Sequence, residues 1–79
     1  MKNITYAVSE ERYTFENETR ISYGIVAYSN AGQDGSKTIV ASVRDITSNK
    51  EGLARLVDDC NRLELSTVHL NDVVEDFLL

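Results

Sequence analysis

The sequence holds little that could cross-link it, anchor it or export it. Cys60 is the only cysteine among 79 residues, so an intrachain disulfide and a four-thiolate metal site are both excluded. A lone thiol fits a reducing compartment. The stretch from Met1 to Glu11 lacks the continuous apolar run of a secretory signal. Nothing approaches the ~20 apolar residues that a membrane helix needs. These absences lead to the expectation of a cytoplasmic protein that makes no membrane contact. Clustered bases are missing as well. Residues 1–50 balance six acids against six bases, whereas residues 51–79 set seven acids against Arg55 and Arg62 and so account for the whole net charge of −5. Phosphate backbones are gripped by grouped Lys and Arg, so nucleic acid is not an expected partner.

What is present suffices for one small domain over residues 1–79. A chain of this length buries about 60–65% of its unfolded surface, and a single core of that size leaves ~3–5 kcal/mol of net stability. The hydrophobic period changes near residue 48. Ile4, Tyr6 and Val8 alternate with Thr5 and Ala7, the two-residue repeat of a half-buried strand. Tyr13 and Phe15 then fall on the opposite parity, which predicts a bulge or tight turn near residues 9–12 and leaves residues 9–16 open as a separate strand. Glu16-Asn17-Glu18 reads as a hairpin turn. Thr19 to Ser29 is the next strand, with Ile21, Tyr23, Ile25 and Ala27 on one face. Residues 30–36, with two glycines, break it. Lys37 to Asp45 resumes with Ile39, Ala41 and Val43 on one face.

Helix signals follow. Ser48 and Glu51 fit a capping box. Leu53, Leu56, Val57, Cys60 and Leu63 then recur along one helical face, with Leu56 expected to be worth about 2–5 kcal/mol to the core. After a connector, Leu65 to Val68, the residues Leu70, Val73, Val74 and Phe77 repeat that pattern in a shorter helix. Strands first and helices afterwards predict an α+β fold. The expectation is an antiparallel sheet of three strands, four if residues 9–16 stand apart, with two helices packed on one face.

Candidate chemical sites are few. His69, with Asp72, Glu75 and Asp76 nearby in sequence, has the residue types of a divalent-metal cluster. Acids near a helix start are also explained by the helix dipole, and His69 stands where a cap would. Cys60 lies on the apolar stripe beside Asp58 and Asp59, a setting that opposes thiolate formation. Gly32 to Lys37 lacks the spacing of a phosphate loop and precedes a strand. No catalytic, cofactor-binding or metal-binding residue is assigned, and no cofactor is expected. Two surfaces carry more weight. Val26, Tyr28 and Val40 would form an apolar strip if both helices pack on the other side of the sheet, and Leu78 with Leu79 need cover from the sheet or from another chain, the alternative being that the tail completes an undersized core.

The segments from Ile39 to Ser48, from Cys60 to Ser66 and from His69 to Leu78 resemble a small bacterial domain family of unknown function, over residues 20–78. That resemblance implies one compact bacterial cytosolic domain and brings no activity, cofactor or site with it. The sequence thus leads to a non-enzymatic interaction or regulatory module whose partner is another protein or a second copy in a homodimer. The alternative is a small-ligand binder with a pocket between sheet and helices near Tyr6, Tyr23 and His69. A metal-assisted enzyme is the weakest of the three.

Overall fold

A computed structural model describes residues 4–29 and 37–79. In order come β1 (Ile4–Phe15), β2 (Glu18–Ser29), β3 (Thr38–Thr47), α1 (Lys50–Arg62), a single 3₁₀ turn (Thr67–His69) and α2 (Leu70–Leu78). The sheet is antiparallel in the order β1-β2-β3, and both helices pack on one face of it. The expected α+β architecture is therefore present. The loop expected over residues 30–36 lies outside the described residues.

The expected bulge in β1 is absent. β1 pairs with β2 without interruption from Ile4↔Ser29 to Phe15↔Glu18, so no residue is inserted between the two apolar sets and residues 9–16 form no separate strand. Ile4, Tyr6 and Val8 face the helices, whereas Tyr13 and Phe15 lie on the opposite, open face and are 43% and 75% exposed. Parity changed because the helices cover only one half of the sheet. Beyond Val8 the apolar residues decorate a hairpin arm onto which, among the described residues, the helical core does not extend. The arm closes through Glu16 and Asn17, at φ 48° and 68°, the two left-handed positions that a two-residue hairpin turn matched to strand twist requires.

Bulges do occur, in β3. Ala27 opposes Ala41 and Tyr28 opposes Ile39, leaving Val40 as an extra residue. Ile39 therefore leaves the face it was expected to share with Ala41 and Val43; it sits across from Tyr28 and is 59% exposed. Further along, Ile25 opposes Val43 but Tyr23 opposes Thr47. Arg44, Asp45 and Ile46 thus bow out against the single residue Gly24, with Asp45 at φ 54°.

The core is one layer of contacts. Tyr6, Ile25 and Ala27 from the sheet meet Leu53, Val57 and Cys60 from α1 and Leu70 and Val74 from α2. Leu56 is only partly buried, and Leu63, expected on the same stripe, is 71% exposed. α1 has already ended there. Its N-cap is Asn49, whose Oδ1 accepts from Gly52 N at 3.1 Å, and no Ser48–Glu51 box forms. Gly52 makes this cap possible, since a Cβ there would meet Asn49 Nδ2 at 2.5 Å.

The far end of α1 closes in a Schellman motif, with Glu64 N donating to Asn61 O at 3.2 Å and Leu65 N to Cys60 O at 3.0 Å. Glu64 takes the left-handed position at φ 53°, where glycine carries no steric penalty. Glu64→Gly should therefore stabilise the fold by about 0.5–1 kcal/mol, read as a higher urea midpoint at unchanged slope. A lower midpoint would show that the side chain matters more than the backbone at this position.

Asn61 joins the helix to the sheet edge. Its Oδ1 accepts from Tyr6 N at 2.7 Å and its Nδ2 donates to Tyr6 O at 2.9 Å, so one amide side chain serves β1 as a neighbouring strand would. The Tyr6 hydroxyl donates to Leu65 O at 2.7 Å, fastening the Schellman turn to the same strand. Removing two partly buried hydrogen bonds at once should make Asn61→Ala about 1–3 kcal/mol less stable. Amide exchange at Tyr6 checks the cause: protection there should fall beyond the global loss, and equal loss at all core amides would contradict it.

Candidate functional site

The residues expected to form an interaction surface divide between the two layers. Val26 and Tyr28 lie on the open face of β2, opposite Ser42 and Ile39. Val26 is only 7% exposed, Tyr28 is half-buried and Val40, displaced by the bulge, is 48% exposed. The strip therefore presents Tyr28, Ile39 and Val40 more than Val26. Leu78 and Leu79 stand on the helical layer at the end of α2, 58% and 102% exposed, while Phe77 beside them packs against the core. The two surfaces do not merge.

A polar cluster occupies the other end of the open face, where β3 bows away. Pairing of Glu11 with Ser22 and of Tyr13 with Arg20 across β1 and β2 places these four side chains on that face. Arg44 reaches back over β2 to Glu11, and the Tyr13 hydroxyl donates to the same carboxylate. Arg44 chiefly, and Tyr13 next, hold the Glu11 carboxyl below the ordinary carboxylate range, and accepting from Tyr13 lets Glu11 raise that phenol in turn. Ser22, nearly buried at 9% exposure, donates to Asp45 Oδ1 at 2.5 Å.

Beside this network opens a cleft of about 400 Å³ lined by Tyr13, Arg20, Ile21, Ser22 and the segment from Asp45 to Ser48. It is the notch left where β3 departs from β2. Its chemistry is mixed: one guanidinium, one carboxylate, four hydroxyls and two apolar side chains. Such a set offers hydrogen-bond donors and acceptors beside two apolar side chains. The Ser22 hydroxyl is spent on a carboxylate directly, without the intervening imidazole that activates a serine nucleophile.

The sequence marks none of this cluster as a site: Tyr13 and Ile21 stand out only as strand residues, and Glu11 reads as a solvated surface charge. Its determinants are Asp45 in a left-handed conformation and an Arg–Glu pair 33 residues apart across an intervening strand, and neither leaves a local pattern. The histidine cluster fares differently. His69 begins α2 without a side-chain capping bond and its Nδ1 lies 4.0 Å from Asp72 Oδ2, both groups well exposed. Among the described residues no three His, Cys, Asp or Glu gather in a metal-binding arrangement. Cys60 is buried in the core, and desolvation first, Asp59 second, push its thiol up, as expected from its place on the apolar stripe. Tyr6 is buried with its hydroxyl committed to Leu65, and Tyr23 is half-buried beneath Lys50, whose Nζ lies 5.8 Å from the ring centre. No described helix is long and apolar enough to cross a membrane.

No curated protein and no solved structure matches the chain. A model of a family of unknown function (DUF6514) matches residues 1–79. With three strands, two helices and a match from first residue to last, the chain belongs to that family.

Proposed function

We propose that the protein is a non-enzymatic, cytoplasmic interaction module of bacterial origin, working through the open face of its sheet. One observation carries this reading. The apolar core is built on the helical side, yet the other face keeps Tyr13, Phe15, Ile39 and Val40 between 43% and 75% exposed. Uncovered apolar and aromatic groups on a small domain mark contact surfaces. The net charge of −5 and the acids along both helices support a protein partner over a phosphate backbone. Photo-crosslinking tests it. A benzophenone amino acid at Tyr28 or Val40 should trap discrete adducts in cells, and the same probe at Glu51 on the solvent face of α1 should not. Equal trapping from all three positions, or trapping from Glu51 alone, would sink the reading.

A small-ligand reading is favoured by the cleft between Arg20 and Asp45, whose polar groups converge. It differs in location from the pocket expected near Tyr6, Tyr23 and His69, where the Tyr6 hydroxyl is already bonded to Leu65 O.

A further inference from the structure

We propose that the hairpin arm is a self-association element: the outer edge of β2 over Glu18 to Arg20 pairs antiparallel with the same edge of a second copy, centred on Thr19. This rests on the interaction-module reading and gives it a partner.

The edge is available by construction. Asn61 takes both backbone groups of Tyr6 from outside the sheet, so even-numbered residues of β1 direct their N–H and C=O groups away from β2. In the observed register Thr14 opposes Thr19 and Arg12 opposes Ile21. Thr19 and Ile21 must then direct their own N–H and C=O groups away from β1. β3 occupies that side of β2 only from Tyr23 to Ser29. Among the described residues no strand meets Thr19 and Ile21, no Pro lies between Glu18 and Ser22, and the two charges on this edge, Glu18 and Arg20, are opposite in sign and can pair across copies. The arm is also two strands wide, the arrangement that gains most from an added strand.

Charge selects the register. Two copies related by a two-fold axis can centre this edge on Thr19 or on Arg20. Centring on Arg20 sets two guanidinium groups directly opposite, which is unfavourable. Centring on Thr19 sets Glu18 opposite Arg20 of the second copy, and symmetry repeats the pair. Neither Glu18 nor Arg20 has an ion-pair partner within the described chain. In this register Thr19 meets Thr19 as the hydrogen-bonded pair, so Glu18 and Arg20 fall on the closer, non-hydrogen-bonded positions. Each row of the joined open face then reads Phe15, Glu18, Arg20 of the second copy, Tyr13 of the second copy. The second copy's turn, Glu16-Asn17, comes to lie opposite Ser22 and Ile21 at the mouth of the cleft, giving that notch an occupant.

Sedimentation of the full chain across about 5–500 µM tests this, a range suited to a short ladder of micromolar strength. Wild type should shift from monomer to dimer with concentration. Glu18→Arg and Arg20→Glu, both exposed substitutions on the arm, should each weaken the dimer by about tenfold or more, because two attractions become two repulsions. The double variant should recover to within about threefold of wild type, and an equimolar mixture of the two single variants should form a heterodimer. A wild type that stays monomeric at the highest concentration overturns the proposal, as does a dimer indifferent to both single changes or a double variant that fails to recover. Crosslinks from Tyr28 and Val40 are read separately. A monomeric wild type with specific crosslinks removes self-pairing and leaves the interaction reading intact.

Discussion

Gly24→Ala should cost about 3 kcal/mol, close to everything a domain of this size has to lose. A Cβ at Gly24 would stand 2.3 Å from Val43 O, 3.0 Å from Arg44 Cα and 3.1 Å from Ser9 Oγ. The nearest two atoms are backbone, which cannot rotate away as a side chain could. Relief requires β3 to lift from β2 where Arg44, Asp45 and Ile46 bow around this one residue. The opposing effect is small, because replacing glycine stiffens the unfolded chain and returns only about 0.4–1 kcal/mol. Sterics win. Urea unfolding of the variant should show a much lower midpoint, and backbone amide shifts should move at Ser22 and Asp45, whose bond depends on that bow. A variant within about 0.5 kcal/mol of wild type would mean that β3 adapts freely.

Leu53→Ala should remove about 2–5 kcal/mol, more than the same change at Leu56. Leu53 is fully buried among the core residues of sheet and helices, whereas Leu56 only borders them. Truncating Leu53 opens a cavity that Tyr6, Ile25 and Val57 cannot close without moving. At Leu56 solvent already reaches part of the side chain, and about 1 kcal/mol is expected there. Parallel urea melts decide the ranking. Equal losses would show that the two positions share the core, as the bare heptad-like spacing suggests.

That contrast marks how far the sequence is legible. The helical stripe of α1 is readable because a 3.6-residue period is local, but period alone cannot say which residue of the stripe lies over the sheet. Leu63 illustrates the limit: it keeps the period, yet Glu64 ends the helix in a left-handed turn and leaves Leu63 in solvent. Glu64 carries none of glycine's signature at that position, so the Schellman closure is silent in the text. The cap is one residue off the expected box for a related reason. Asn49 succeeds where Ser48 was expected because Gly52 leaves its side chain room, a fact about three-dimensional clearance. The polar cluster was illegible altogether. Glu11 and Arg44 meet only because β3 loses register against β2, and a bulge that depends on close approach at Gly24 has no pattern of its own.

The sequence by itself determined the α+β class, the order of strands and helices, the turn at Glu16 and Asn17, and the acidic helical third. Each follows from local periods, turn chemistry or charge count, which act over a few residues. Tertiary structure alone decided the straight register of β1, the two bulges in β3, the exposed arm bearing Tyr13 and Phe15, and the docking of Asn61 on the sheet edge. These depend on which surfaces the helices reach, and a two-helix layer on a hairpin of two twelve-residue strands reaches only half of it. Among the described residues no strand meets the outer edge of that open half, and it is the surface proposed above for another chain.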